Sequence, residues 1–137
     1  MKSLFFAILF CVITIHAQPS NPVDGLAVQV LPPKITAQKA VVQLKLKNNL
    51  SEAVQSARAV CFLLDDQGKM VGQSTKWVVG QNHTALEPKG ETIFNFVITS
   101  PQPFTTTNLT AKVSFCRVVL DGGKLADAAR DVRIESK

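Results

Sequence analysis

The stretch AVVQLKLKN, Ala40 to Asn48, alternates apolar and polar residues one for one: Val42, Leu44 and Leu46 against Gln43, Lys45 and Lys47. Successive side chains of an extended strand point to opposite faces, so this pattern half-buries itself as a β-strand and has no continuous stripe to offer as a helix. LAVQV repeats it with Leu26, Val28 and Val30, and ETIFNFVIT with Phe94, Phe96 and Ile98 opposite Asn95. TAKVSFCRVVL places Ala111, Val113 and Phe115 on one side, with Lys112 and Ser114 on the other. No window of similar length sustains a 3.6-residue period, and only KLADAARDV has the make-up of a short helical turn.

The punctuation between these runs is that of an all-β chain. Pro32-Pro33 ends the first strand, because proline cannot donate to a central ladder. NNLSE separates two strands, and DDQGK and DGGK read as hairpin turns in which glycine supplies positive φ. In LEPKGET, Pro88 at the second and Gly90 at the fourth position predict a type I turn. SPQPFTTTN is the longest loop. Six to eight short strands at this spacing predict a β-sandwich.

VCFLLDDQGK raises a choice between hairpin and metal loop. The run assigns Val60, Phe62 and Leu64 to the interior, with Asp65 to Gly68 forming the turn. A calcium loop needs several oxygen ligands at regular spacing, and two adjacent carboxylates that point apart do not supply them. Turn chemistry is therefore expected, since aspartate caps its own backbone in turns. No cofactor is implied.

NNLSEAVQSARAVCFLLDDQGKMVG followed by LEPKGETIFNFVI resembles the bacterial F-x-L-Y-D family of immunoglobulin-like domains. The motif residues are Phe62, Leu64 and Asp66, with Pro88 and Gly90 in the second segment; Asp65 stands where the motif has tyrosine. The resemblance runs over roughly residues 41–98. It implies a single immunoglobulin-like antiparallel β-sandwich of about seven strands, a small extracytoplasmic module with no catalytic residues to carry over.

The amino terminus supports export. Lys2 precedes an apolar run from Leu4 to Ile15, and Ala17 offers a small residue for cleavage before QPSNP. The run is shorter than the roughly 20 residues of a spanning helix, although an uncleaved anchor is the competing reading. The expected organisation is a cleaved signal peptide at 1–17, a linker at 18–25 and the sandwich at 26–137, secreted or periplasmic, with no stable membrane insertion after cleavage. Fifteen basic residues less Lys2 leave fourteen, against ten acidic. They are scattered, and nothing in the sequence concentrates the basic face that nucleic acid requires.

Catalytic residue types are sparse. His16 lies in the signal, which leaves His83 alone in a loop, without a nucleophile elbow or metal spacing. Glu52, Glu87, Glu91 and Asp131 lie beside turns or chain ends, where solvated roles are expected. No catalytic and no metal-ligating residue is assigned. Cys61 and Cys116 remain after cleavage, in a compartment that favours disulfides. Cys61 is out of phase with Val60, Phe62 and Leu64, and Cys116 shares a face with Lys112 and Ser114. In an immunoglobulin-like order their strands share a sheet, so the alternatives are a strained cross-strand bridge on its outer face or two free thiols.

Three sequons, at Asn49, Asn82 and Asn108, would accept glycans only in a eukaryote. Trp77, the sole tryptophan, is expected in the core; if exposed, it is the best single contact for a sugar or partner. Phe104, Thr105, Thr106 and Thr107 mark a candidate binding loop. Together these features predict a non-enzymatic binding or structural module that presents loops, such as Gly80 to Pro88 and Ser100 to Asn108, or an edge strand to a protein or glycan. The alternatives are a subunit of a surface fibre or envelope assembly, and an enzyme with an unrecognised carboxylate site.

Overall fold

The computed structural model describes residues 25–82 and 84–137. The expected signal peptide, all of the expected linker but Gly25, and His83 lie outside the described residues. The elements are β1 (Leu26–Val30), β2 (Lys34–Thr36), β3 (Lys39–Asn48), β4 (Val54–Leu64), β5 (Met70–Val79), β6 (Glu91–Thr99), β7 (Thr110–Leu120), α1 (Ala128–Asp131) and β8 (Val132–Ser136).

They form a sandwich of two sheets. In the five-stranded sheet, β6 pairs one edge of β3, while β1 and β2 take successive stretches of its other edge, either side of Pro32-Pro33. β8 adds to β1 in parallel, with Leu26 opposite Val132 and Val30 opposite Ser136. That pairing departs from the antiparallel expectation. The last strand follows α1, which returns the chain to the level of Leu26, so β8 can only run alongside β1. The three-stranded sheet has the order β5-β4-β7, antiparallel throughout.

The alternating strands bury the residues their period demands. Leu26, Val28 and Val30 of β1, Val42, Leu44 and Leu46 of β3, and Phe96 and Ile98 of β6 are closed off from solvent. Phe94 and Phe96 meet edge to face, ring centroids 5.1 Å apart. Each such aliphatic or aromatic side chain contributes about 1.5–3 kcal/mol of transfer free energy.

In β4 the expected phase is reversed. Ala57, Ala59, Cys61 and Leu63 are fully buried, and Val60, Phe62 and Leu64 face outward, half-buried. Both faces of this strand are apolar beyond Ala59, so the run itself carries no phase. Arg58 does: it shares parity with Val60, Phe62 and Leu64, and a guanidinium without a buried partner must stay at the surface.

Two turns gain definition. Asp65 Oδ1 accepts from the amides of Gln67 (2.9 Å) and Lys69 (2.8 Å), and Gly68 takes φ 76°, so DDQGK is a self-capped hairpin turn. The LEPKGET turn is type II, not type I: Gly90 N donates to Glu87 O (2.8 Å), but Lys89 sits at φ 66°. Type II differs from type I by a flip of the central peptide. The flipped Lys89 N–H donates to Asn48 O (2.7 Å), while Asn48 N donates to Gly90 O (2.9 Å).

Candidate binding face

The outer face of the three-stranded sheet is built by β4. Cross-strand partners share a face, so each outward β4 residue sits in a row. Leu64 lies between Met70 and Thr110, Phe62 between Gln73 and Lys112, and Val60 between Thr75 and Ser114. Arg58 lies between Trp77 and Arg117. Val60, Phe62 and Leu64 thus form an apolar stripe along the centre, extended sideways by Met70, 51% exposed, and Trp77, 39% exposed. The Arg58 guanidinium stands over the Trp77 ring, 5.9 Å from its centroid.

The charge on this sheet has one sign. β4, β5 and β7 carry Arg58, Lys76, Lys112 and Arg117 and no aspartate or glutamate. The ion pairs among the described residues are Lys47–Glu91 (3.8 Å), Lys124–Glu52 (3.8 Å) and Arg130–Asp131 (3.1 Å), and none uses those four cations. The outer face of the other sheet carries both signs. There, an open trough of about 1540 Å³ has Ala27 and Gln29 along its lining, with Lys45 and Lys47 beside Glu91 and Glu135.

The residues singled out from the sequence are dispersed. Cys61 is in the core and Cys116 is exposed; both are free thiols. They share the β4-β7 sheet, but Cys61 opposes Val113 rather than Cys116 and points to the other side, which rules out the cross-strand bridge. Burial pushes the Cys61 thiol up to about 11. Of the motif residues, Phe62 and Leu64 face out, Asp66 is exposed in the turn, and Pro88 and Gly90 belong to the turn that Lys89 N and Gly90 O join to Asn48.

The two loops expected to be presented to a partner lie at opposite ends of the sandwich. The described residues of Gly80 to Pro88 are at the Asn48 end, where Leu86 pairs with Val54. Ser100 to Asn108 is stapled to the other end, with Ser100 N donating to Gln38 O (2.8 Å) and Phe104 N to Ala37 O (2.9 Å). Phe104 packs against the core instead of being displayed, and Thr106 Oγ1 accepts from Asn108 N (3.0 Å). Thr105 and Thr107 are exposed, as are Asn82 and Asn108, while Asn49 is half-buried. Glu52, Glu91 and Asp131 each sit in one of the separate ion pairs. The Arg130 side-chain hydrogen bond holds the Asp131 carboxyl below the usual carboxylate range. Among the described residues, no three His, Cys, Asp or Glu side chains gather as metal ligands would.

No family model matches the chain, and no curated protein sequence does. Among solved structures, it is similar to a protein designated ApaA from Bordetella pertussis, with TM-score 0.52 and 14% identity over 77% of this chain and 89% of that one. It is also similar to a structural-genomics protein, SoR45, with TM-score 0.52 and 14% identity over 78% and 83%. IrmA from Escherichia coli aligns over 82% of this chain and 91% of its own at TM-score 0.49 and 9% identity. The first two likenesses are likenesses of fold.

Proposed function

We propose that this chain is an exported, non-enzymatic binding module that contacts a protein partner through the outer face of β5-β4-β7. The observation that carries the reading is the outward phase of Val60, Phe62 and Leu64. An outer sheet face of a sandwich is ordinarily polar, because alternate residues of each strand meet water. Here the central strand leaves an apolar stripe on it, and Met70 and Trp77 widen that stripe at the flank. The face mixes aliphatic Val60, Leu64 and Met70 with aromatic Phe62 and Trp77 and is bounded by cations, a make-up that suits the apolar centre and charged rim of a protein interface. A face-to-face copy of the same chain would set Arg58, Arg117 and Lys112 against their like, which disfavours the fibre-subunit alternative on this face. Export rests on the residue pattern of Met1 to Ala17, and the F-x-L-x-D resemblance supports an extracytoplasmic module.

The test exploits the cysteines. At neutral pH a maleimide-benzophenone label goes to exposed Cys116 and spares Cys61, which is buried and protonated. Irradiation in envelope and secreted fractions should capture a discrete partner, and Phe62→Ser should reduce that capture at least tenfold, about 1.4 kcal/mol. Thr75→Ala, a small change on the same face, should leave it intact. Capture that is indifferent to Phe62→Ser, or that appears only with the label moved to a Lys45→Cys variant on the other sheet, would overturn the reading.

A further inference from the structure

The bulge in β7 has a specific product. Phe115 and Val118 both point inward, and between them stand two residues instead of the single outward residue that strict alternation would place there. The register breaks between Arg58 and Ala59, so that Ala59 opposes Phe115 and Arg58 opposes Arg117, with Cys116 as the extra residue. Bulges re-aim side chains. Without this one, Arg117 would take the inward parity of Phe115; with it, Arg117 lies on the outer face directly beside Arg58.

Like charges placed directly opposite on an antiparallel pair repel. Among the described residues no ion pair relieves them. Both guanidiniums are exposed, the three strands carry no carboxylate, and neither arginine enters an ion pair among the described residues. Trp77 supplies the remaining element: its ring lies beneath Arg58 and restrains the guanidinium. Two planar forks on neighbouring strands, one of them held against an indole, form a receptor for a carboxylate, which arginine binds through paired hydrogen bonds.

We infer that the Arg58–Arg117 pair binds a carboxylate of the partner, and that the partner presents an acidic segment with apolar residues between its acids. The inference rests on the docking face proposed above. The spacing follows from the rows: Lys112 stands opposite Phe62, four residues along β4 from Arg58. At about 3.3 Å per residue the two cationic positions are about 13 Å apart, with Val60 in the row between them and Phe62 beside Lys112. An extended partner segment that sets acids at i and i+4 and an apolar residue at i+2 matches this face. The half-buried Val60, Phe62 and Leu64 favour such a segment over a lipid surface, which calls for side chains that protrude and insert, as only Met70 and Trp77 do on this face.

The sole tryptophan sits in the site, so its emission reports occupancy directly. The probe is the capped peptide Gly-Glu-Thr-Leu-Thr-Glu-Gly, titrated into the unlabelled chain beside the same peptide with glutamine for both glutamates. The expected result is a saturable emission change with the glutamate peptide. Binding should be at least tenfold weaker with the glutamine peptide, with Arg117→Gln, which leaves the Arg58–Trp77 contact in place, and in high salt. Lys45→Gln on the opposite sheet should change nothing. Equal affinity for the two peptides would overturn the carboxylate site and leave the docking face standing. An emission change only with phosphatidylglycerol vesicles, or only with heparin, would replace the protein partner by a membrane or a sulfated polysaccharide. No change with any probe would also overturn the inference; the Phe62→Ser cross-link separately decides whether the face docks a protein at all.

Discussion

Asn48 ends β3 at a position whose parity points into the core, and among the described residues it is the one polar residue fully buried. Its Nδ2 donates to Glu52 O and Leu86 O, both at 2.9 Å, and its Oδ1 accepts from Leu50 N at 2.9 Å. One amide side chain therefore ties the β3–β4 turn to the strand bridge at Leu86. Asn48→Ala strands two carbonyls and an amide and should cost about 3 kcal/mol in denaturant unfolding. Asn48→Asp should cost more, since it turns a carboxylate oxygen towards two carbonyls. Cys61 makes a second residue-scale prediction. Its thiol is raised from 9.0 to about 11 by burial, so the folded chain keeps the proton that the unfolded chain loses. The stability this represents is complete below pH 9 and is lost as pH rises through 11, roughly 2.5 kcal/mol in all. Unfolding at pH 8 and pH 11, with Cys61→Ala as the reference that cancels lysine titration, measures it.

At the scale of elements, strands that alternate strictly were legible and the strand that does not was misread. β1, β3, β6 and most of β7 bury the residues that their period assigns. β4 is apolar on both faces from Val60 onward, so its phase had to be taken from Arg58, the only charged residue on the strand. That signal is present in the sequence, and it would have found the outer stripe and placed Cys61 inside. The bulge that brings Arg117 beside Arg58 had no such signal, because bulges answer to pairing between strands rather than to one strand's pattern. Trp77 followed from neither: its exposure depends on which face of β5 opposes Arg58. Turns show the same division. The residues at Glu87 to Gly90 predicted a turn, but its type was fixed by Asn48, a distant partner. Since Lys89 occupies a left-handed conformation that costs an L-residue about 1 kcal/mol, Lys89→Gly should stabilise the domain by up to that amount in a thermal melt.

For the whole molecule, the two sheets divide the electrostatic work. The five-stranded sheet mixes signs on its outer face, whereas the three-stranded sheet is uniformly basic. A formal charge of +5 spread over the chain concealed this separation, which depends on which strands are neighbours. Closure depends on the ends as well: β1 is completed by β8, with nearly all of the domain between them in sequence, a topology that folds slowly because distant pairings precede their reward. The same pairing decides how the domain bears tension. β1 and β8 are parallel, so a pull that draws the two ends of the chain apart slides one strand along the other instead of peeling them. All the hydrogen bonds from Leu26–Val132 to Val30–Ser136 are then loaded together, and none can fail first. Pulled by its two ends, such a domain resists as a clasp in shear.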